Sequence, residues 1–428
     1  MPNVLPPSRL ALVLALCATP AMAKPHSHAA GTVPVANSLH LIGPLDRTDV
    51  TPIPPGPPPV PDSPAGDKST PVPPTLPDMT AYVLIDAASG AVLAEAAPHL
   101  QLPPASLAKL MTAHLVYQAL HHNGLTPTQV VPVAPDATAE AQGGSGSSNM
   151  FIDTTSIVTV DQLLHGLIIE SGNDAAAALA DQVAGSQTAF VQMMNSTART
   201  LGLTDTNYTN VTGLPDPAMH TSAMDVARLS RAILQDEPEI LDISKQQSYT
   251  YDNILQYNWN PVIFKDSTVD GLKTGRTHEA GHCIDATALR NNIRLIAVVT
   301  GGPTWTTSTA AVETLLAYGQ KFFTDATLAT AGTAIDTLVS GDLDSGSVPV
   351  GAAQNVVLTL PTDEAGGITH SIAYNADLSP GVTKGEVLGS VSYSAGTTIL
   401  ATVPVVALAD EPAASFMTKL KAALRKML

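Results

Sequence analysis

The chain has few cysteines and little positive charge. It contains two cysteines, and Cys17 lies in an N-terminal segment that we expect to be removed, which leaves Cys283 alone. A single cysteine cannot form an intrachain disulfide, so an oxidising compartment is permitted but its chemistry is not used. The formal net charge is −17, from 20 Lys and Arg against 37 Asp and Glu. This balance argues against a nucleic acid as partner, because nucleic-acid binding neutralises phosphates.

The hydrophobic run nearest the N-terminus is short. LALVLALC, residues 10–17, falls well below the roughly 20 residues that a spanning helix needs. It follows Arg9 and precedes the small-x-small sequence at 21–23, so residues 1–23 are predicted to be a secretory signal peptide cleaved after Ala23. Lipoprotein processing at Cys17 is the less favoured alternative, because Leu16 stands where a small residue is expected.

Residues 24–78 are rich in proline, with the stretches TPIPPGPPPVPDSP and STPVPPTLP. Such a composition cannot bury enough apolar surface to order the chain, and proline favours extended backbone. The segment is therefore predicted to be a disordered, semi-rigid linker without chemistry of its own.

Residues 79–327 combine strand-forming ends with a helical middle. Apolar runs at 82–86 and 91–95 predict a hairpin, and β-rich runs return at 269–302 around the turn at 291–292. Helical patterns between them start at Ser106, and a last helix is predicted from about Thr309 to Phe323. Strands from distant parts of the chain must then share one antiparallel sheet, flanked by helices and interrupted by an all-helical subdomain.

The pattern changes after residue 327. Residues 328–410 alternate apolar and polar positions between Gly, Pro and Asp turns, which predicts a small, sandwich-like all-β domain and makes the overall fold class α+β. In residues 411–428 the apolar side chains fall on one helical arc, flanked by the cations Lys419, Lys421, Arg425 and Lys426. This pattern predicts an amphipathic helix lying on an anionic membrane surface, with docking on the β domain as the alternative.

Two short motifs, Ser-x-x-Lys and Lys-Thr-Gly, contain one serine and two lysines that are candidate catalytic residues. Ser106 and Lys109 in PPASLAKLMTA are three residues apart, on the same face of a helical turn. The positive field of the helix N-terminus favours a neutral lysine and stabilises an anion at the serine oxygen. A second cation nearby, for which Lys273 of the KTG sequence is the candidate, would lower the pKa of Lys109 further, toward the ~7–8 of a general base.

The third motif, Ser-x-Asn, occurs twice, at 147–149 and at 171–173. The first copy lies in a Gly/Ser-rich loop, whereas the second stands between two helical patterns, a rigid setting that suits a reacting group. Ser171 and Asn173 are therefore the candidates. Each motif alone is weak, since a serine before a helix is commonly a cap. The three together, in this order, indicate a nucleophile with its base.

With these motifs the chain resembles the D-alanyl-D-alanine carboxypeptidases, low-molecular-mass penicillin-binding proteins of serine peptidase family S11. The sequences PASLAKLMTA, LLHGLIIESGNDAA and VDGLKTGRTHEAGHC extend the resemblance beyond the minimal motifs, and it covers about residues 79–428. It implies a β-lactamase/transpeptidase-like catalytic domain, removal of the terminal D-alanine from peptidoglycan stem pentapeptides, and covalent inhibition by β-lactam antibiotics. It implies no cofactor or metal, and a periplasmic location on the outer face of the cytoplasmic membrane.

The resemblance also implies a role for each motif residue. Ser106 attacks the carbonyl between the two D-alanines, with Lys109 as general base, and water then hydrolyses the acyl-enzyme. Ser171 relays a proton to the leaving amine. Asn173 holds the substrate backbone and Lys109.

The KTG edge is implied to bind the substrate. Lys273 and Thr274 contact the terminal carboxylate, and the oxyanion lies between the backbone N–H groups of Ser106 and Arg276, worth ~3 kcal/mol per donor. The predicted substrate-binding residues are Thr274, Gly275, Arg276 and Thr277. Relatives commonly carry an arginine after the GG that closes the strand, where this chain has Ser308. Arg276 is the hypothetical replacement.

Three other functions compete with this interpretation. A β-lactam-hydrolysing relative would need a carboxylate to activate water. Between Ser171 and Lys273 the glutamates are Glu237 and Glu239, and no asparagine follows them at the spacing that such a site would show. Slow release of penicillin is therefore predicted. Endopeptidase action on peptidoglycan cross-links stays open, and a catalytically silent wall-binding scaffold is least favoured because the three motifs are intact.

The histidines offer no rival chemistry. His121 and His122 end a predicted helix, where cations suit the helix dipole. His278 and His282 flank the turn after KTG without the carboxylate or cysteine partners of a zinc site.

Overall fold

The computed structural model describes residues 71–122, 124–144, 147–363 and 366–418. The predicted signal peptide, most of the proline-rich linker and most of the predicted tail helix lie outside these residues. The helices, in chain order, are α1 (Lys109–His121), α2 (Val160–His165), α3 (Asn173–Ala184), α4 (Gln187–Thr200), α5 (Ala223–Asp236), α6 (Ile240–Ser244) and α7 (Trp305–Phe322).

The first domain contains strands near both of its ends and two short strand pairs between them, and the second domain consists of strands. They are β1 (Ala81–Asp86), β2 (Val92–Ala96), β3 (Val130–Val131), β4 (Val158–Thr159), β5 (Ser248–Tyr251), β6 (Ile254–Tyr257), β7 (Val269–Thr277), β8 (Gly281–Arg290), β9 (Ile293–Gly302), β10 (Phe323–Ala329), β11 (Ala334–Val339), β12 (Ser347–Ala352), β13 (Val356–Pro361), β14 (Ile368–Tyr374), β15 (Gly381–Val382), β16 (Val387–Ala395), β17 (Thr398–Ala407) and β18 (Glu411–Pro412).

One antiparallel sheet of order β2-β1-β9-β8-β7 is the frame of the first domain. Its two halves come from opposite ends of the domain, and they join where β1 pairs with β9, for example Val83 with Val298. Alternate side chains of these strands face opposite layers. Val83 and Val298 enter the core under the helical insert, whereas Leu84 and Val299 enter the core beneath α7. The predicted α+β fold with a sheet assembled from distant halves is confirmed. The inserted subdomain is not all-helical as predicted, because it also contains the two-stranded sheets β3-β4 and β5-β6.

Two helices differ from the prediction. Helix α7 begins at Trp305 rather than near residue 309, because the Thr304 side chain accepts a hydrogen bond from Thr307 N and so caps the helix one turn earlier. The helical pattern over 160–184 is interrupted, since α2 passes into a π-turn at Gly166–Glu170 and Ser171 then adopts a left-handed conformation. Hydrophobic periodicity alone does not reveal this interruption.

The second domain is all-β, as predicted. Its five-stranded sheet has the order β11-β12-β17-β16-β14, and the pairs β10-β13 and β15-β18 complete it. The predicted domain boundary at 327/328 falls inside β10. In the predicted tail helix, residues 411–412 instead form strand β18, paired with Gly381 and Val382. Helical residues begin at 416, and the cation-rich part from 419 onward lies outside the described residues.

The two domains meet at a polar junction. At the end of β1, the Ser89 Oγ donates to the Asp86 carboxylate (2.8 Å) and lies 2.6 Å from Thr359 Oγ1 on β13. Thr359 in turn donates to the Asp325 carboxylate on β10 at 2.9 Å. Burial, followed by the negative charge of Asp86, raises the pKa of Asp325 to about 7. The junction therefore brings two carboxyl groups from different domains together.

Candidate active site

Ser106 lies in a 3₁₀ turn, Ala105–Ala108, that leads directly into α1. Neither this turn nor α1 has a side-chain cap, so the hydroxyl of Ser106 is not used to cap a helix. Instead, Ser106 Oγ is 2.9 Å from Lys109 Nζ. The i, i+3 spacing on this turn therefore brings the two predicted groups into hydrogen-bond contact.

Lys109 is fully buried and its amine has three close neighbours. Besides Ser106, Nζ lies 2.7 Å from Asn173 Oδ1 and 2.8 Å from Thr212 O. Burial, followed by the positive charge of Lys273, places the pKa of Lys109 well below its usual range, and the charge of Asp174 opposes this shift only in part. The site thus favours the neutral amine, which can act as a base.

A tight turn at 210–214 places the Thr212 carbonyl on Lys109. The Asn210 side chain accepts hydrogen bonds from the N–H groups of Thr212 (3.2 Å) and Gly213 (2.8 Å). Gly213 has a φ of +85°, and a Cβ there would lie 1.8 Å from Ala105 O. Only glycine allows the two backbones to approach this closely, so the turn at 210–214 packs directly against the segment that carries Ser106, with no side chain between them.

The Ser171-Gly172-Asn173 motif lies at the break between α2 and α3. Ser171 follows the π-turn with φ 64° and ψ 31°, and its Oγ is buried without a hydrogen-bond partner among the described residues. Asn173, the first residue of α3, reaches Lys109 with Oδ1. Ser171 lines the cavity, so its hydroxyl can reach a molecule bound there.

The Ser-x-Asn copy at 147–149 is also part of the site, although Ser171 and Asn173 were the predicted candidates. Ser147 Oγ accepts from Asn173 Nδ2 at 2.5 Å, and Ser148 O accepts from the Asn173 N–H at 2.8 Å. Asp174 fixes the following loop by accepting from the N–H groups of Met150 (3.0 Å) and Ile152 (3.1 Å). The signal that could have indicated this docking is the acidic residue at the start of α3.

Strand β7 carries the KTG sequence to the same place. Lys273 is buried, and its ammonium donates to Thr274 O at 3.0 Å. A Cβ at Gly275 would lie 3.0 Å from Ser106 N, so the strand packs directly on the backbone of the Ser106 turn. Arg276, the next residue, is exposed and borders the cavity. The N–H groups of Ser106 and Arg276 are thereby brought to one neighbourhood.

Ser308, where the resemblance led us to expect an arginine, does not line the cavity. It is fully buried at the start of α7, and its Oγ donates to His282 O at 2.9 Å. His282 in turn contacts the Trp305 ring edge-on at 4.8 Å. Arg276 is thus the arginine that borders the cavity within the part of the chain that the structure describes.

A cavity of about 490 Å³ opens in front of these groups. Besides the predicted residues, its wall includes an acid and several aromatic and apolar side chains that the motifs do not contain. The lining residues are Ser106, Ser147, Ser148, Phe151, Glu170, Ser171, Asn173, Thr212, Gly213, Leu214, Trp259, Thr274, Gly275, Arg276, Thr277 and Trp305.

The two glutamates considered for a lactamase site lie elsewhere. Glu237 is buried against His114 (2.7 Å), and Glu239 contacts His121 at the far end of α1 (2.5 Å). Glu170 is the glutamate that lines the cavity within the described ranges. No group of three or more His, Cys, Asp or Glu in these ranges could hold a metal ion.

Comparison with known proteins supports one family. The family described as D-alanyl-D-alanine carboxypeptidase (peptidase S11) matches residues 68–304, and the C-terminal domain of penicillin-binding protein 5 matches residues 323–413. The carboxypeptidase DacA of Escherichia coli K12 is 35% identical over 80% of this chain and 86% of its own length. DacD of the same organism is 40% identical over 66% of this chain and 74% of its own length.

Solved structures agree with the sequence matches. Penicillin-binding protein 5 from Haemophilus influenzae superposes with a TM-score of 0.74 at 33% identity, over 80% of this chain and 99% of that one. Penicillin-binding protein D2 from Listeria monocytogenes, in its cefotaxime-bound form, gives a TM-score of 0.53 at 27% identity, over 58% of this chain and 100% of that one.

The class that fold and matches define is the low-molecular-mass penicillin-binding protein, with a helix-flanked sheet followed by an all-β domain. Within that class, the chain belongs to the D-alanyl-D-alanine carboxypeptidase family of serine peptidases, S11. The predicted family, and with it a serine carboxypeptidase, is confirmed.

Proposed function

We propose that this protein removes the terminal D-alanine from peptidoglycan stem pentapeptides through an acyl-enzyme on Ser106. The contact between the buried Lys109 amine and Ser106 Oγ carries the proposal. A neutral amine has two N–H donors and one lone pair. Asn173 Oδ1 and Thr212 O can only accept, so they take both donors, and the lone pair is left for the Ser106 hydroxyl.

Acylation starts with proton transfer from Ser106 Oγ to Lys109 Nζ. The oxygen bonds to the carbonyl carbon between the two D-alanines, and the negative charge moves to the carbonyl oxygen. The N–H groups of Ser106 and Arg276 receive this oxyanion, and such donors are commonly worth ~3 kcal/mol each. The close backbone approaches at Gly275 and Gly213 fix the turn that carries Ser106, so the two N–H groups are in place before the substrate binds.

Collapse of the oxyanion breaks the C–N bond. The leaving D-alanine amine needs a proton, which Ser171 Oγ passes on from the Lys109 ammonium, and the free hydroxyl of Ser171 suits this relay. Water then adds to the ester, giving the shortened peptide and Ser106. The cationic side chains of Lys273 and Arg276, with Thr274, bind the carboxylate that ends the substrate.

Release of D-alanine from a D-Ala-D-Ala-terminated peptide tests this function. Ser106→Ala should lose release by at least about 1000-fold, because covalent catalysis is removed while binding remains. Labelling of the wild-type chain by a fluorescent penicillin should be covalent and absent in the variant. Ser308→Ala, which removes a buried hydroxyl outside the cavity, is the matched control. Equal release by wild type and Ser106→Ala would refute the proposal.

The N- and C-terminal segments support a location outside the cytoplasmic membrane. Residues 1–23 have the pattern of a secretory signal, and residues 419–428 carry four cations beside apolar positions. We propose that the mature protein is periplasmic and attached by its tail to the outer face of the cytoplasmic membrane, with peptidoglycan as substrate and β-lactams as covalent inhibitors. Among the helices in the described ranges, none has the length and hydropathy to span a bilayer.

A further inference from the structure

The last residues before β1 repeat proline at a three-residue spacing. Residues 71–76 read PVPPTL, and Pro71 and Pro74 are half-buried while the two residues between them are exposed. A polyproline II helix has three residues per turn, so positions 71 and 74 share one face of it. That face is turned toward the folded domain, although the segment belongs to the proline-rich part of the sequence.

Two tyrosine hydroxyls are bonded to this face. Tyr318 of α7 donates to Pro71 O at 2.8 Å, and Tyr82 of β1 donates to Pro74 O at 2.7 Å. Among the described residues, each hydroxyl has this one acceptor, and Tyr82 and Tyr318 are only 5% and 6% exposed. A buried tyrosine hydroxyl is costly without a partner. The spacing of the two donors therefore matches the spacing of the two prolines.

Aromatic rings support the two donors from behind. The ring of Tyr318 lies 5.2 Å from that of Phe322 and 5.6 Å from that of Phe323, and Leu76 packs against the same core beneath α7. A polyproline II backbone makes no internal hydrogen bonds, so its carbonyls are free to accept. Aromatic surfaces with such donors are the usual recognition sites for Pro-x-x-Pro sequences.

We propose that Tyr82 and Tyr318 form a polyproline-binding site whose occupant is this chain's own Pro-x-x-Pro sequence, residues 71–74. A few residues join that sequence to β1, which gives it a high effective concentration at the site. Docking fixes the point at which the N-terminal proline-rich segment leaves the folded domain, beside Phe323, the first residue of β10. This inference does not rest on the proposed function.

The polyproline-binding site is separate from the catalytic cavity. Trp305, the first residue of α7, lines the cavity, whereas Tyr318 lies in the C-terminal half of the same helix. At about 1.5 Å per residue, the two positions are about 20 Å apart along the helix axis. Occupancy of the site should therefore leave catalysis unchanged.

Limited digestion of the full chain with trypsin tests the docking. Lys68 lies three residues before Pro71, so docking should protect it, and Arg47 in the same proline-rich segment is the internal reference. Cleavage at Lys68 relative to Arg47 should rise about fivefold in Tyr82→Phe or Tyr318→Phe, and at least about tenfold in the double variant, because each loses a hydrogen bond. Tyr374→Phe is the matched control, since its hydroxyl donates to Asp336 in the β domain (3.0 Å).

A second pair of substitutions leaves the folded domain untouched. Pro71→Ala combined with Pro74→Ala removes the rings that favour polyproline II, and it should raise cleavage at Lys68 at least about threefold. An unchanged ratio in either double variant would overturn the proposal. A wild-type ratio that falls as the protein concentration rises would also overturn it, because the site would then take the segment of a second copy.

Labelling by a fluorescent penicillin shows that the catalytic domain of each variant is folded. It should stay within about twofold of the wild type in all of them, since the cavity lies at the other end of α7. A matching loss of label and of protection at Lys68 would mean that the tyrosines act on the fold as a whole, and would overturn a separate binding site.

Discussion

Asn173 contacts the Lys109 amine through a neutral oxygen. Its Oδ1 accepts from Nζ at 2.7 Å, which satisfies one N–H of the amine without adding negative charge. A carboxylate at the same distance would make the same hydrogen bond but would stabilise the ammonium. The amide of Asn173 therefore holds the Lys109 amine in position without opposing the low pKa of Lys109.

Asn173→Asp should convert the base to its protonated form. The new carboxylate is expected to raise the pKa of Lys109 by about 1–3 units, so the pH profile of acylation by a fluorescent penicillin should move to higher pH by the same amount, an about 10- to 1000-fold loss wherever both proteins are below their pKa. The rate should recover as the pH is raised. Asn355→Asp is the control, because Asn355 accepts from Ala331 N in the β domain. A loss that is the same at every pH would contradict this explanation.

Residue spacing predicts much of this site, but not all of it. Ser106 and Lys109 share one helical turn, so their contact follows from local geometry. Ser147, by contrast, reaches Asn173 through a loop docked by long-range hydrogen bonds. The Thr212 carbonyl is a backbone group with no sequence signature. Glu170 faces the cavity because of a π-turn and one left-handed residue, which hydrophobic periodicity does not encode.

At the scale of elements, strand β7 and the 3₁₀ turn that carries Ser106 depend on each other. The close approach at Gly275 places the KTG edge on the Ser106 backbone, while the β7-β8 pairing fixes the register, with Lys273 opposite Asp285. The sheet was predictable from the apolar runs and turns. The start of α7 was not, because the capping Thr304 lies among several threonines that could each serve as a cap.

The tail is the element whose role depends on residues 419–428. A chain ending at Thr418 keeps the hydrogen bond from Thr418 Oγ1 to Asp344 (2.8 Å) but removes Lys419, Lys421, Arg425 and Lys426. The full chain should bind vesicles of anionic lipid, less strongly in high salt, and the shortened chain should not. D-alanine release should be the same for both.

Vesicles of zwitterionic lipid are the control for that comparison. Equal sedimentation of the two chains with anionic vesicles would assign membrane binding to another surface. Failure of the full chain to bind would favour the alternative, a tail docked on the β domain.

At the scale of the whole molecule, the domain junction responds to pH. The pKa of Asp325 is raised from 3.8 to about 7, so between these values the folded protein holds a proton that the unfolded chain has released. Stability therefore falls as the pH rises through this window. Asp325→Asn should remove that fall, and its melting temperature relative to the wild type should increase from pH 5 to pH 8, measured by calorimetry.

Asp363→Asn is the matched control, since Asp363 is exposed on the same domain. It should shift the melting temperature equally at both pH values. If Asp325→Asn does the same, the junction is not the titrating element.

This junction also has a mechanical consequence. Ser89, Thr359 and the two carboxyl groups form the polar contact between the domain that carries the cavity and the domain that leads to the tail. Loss of the Asp325 proton places a second negative charge beside Asp86, and the two charges repel. We therefore expect the two domains to hold together less tightly as the surroundings become less acidic.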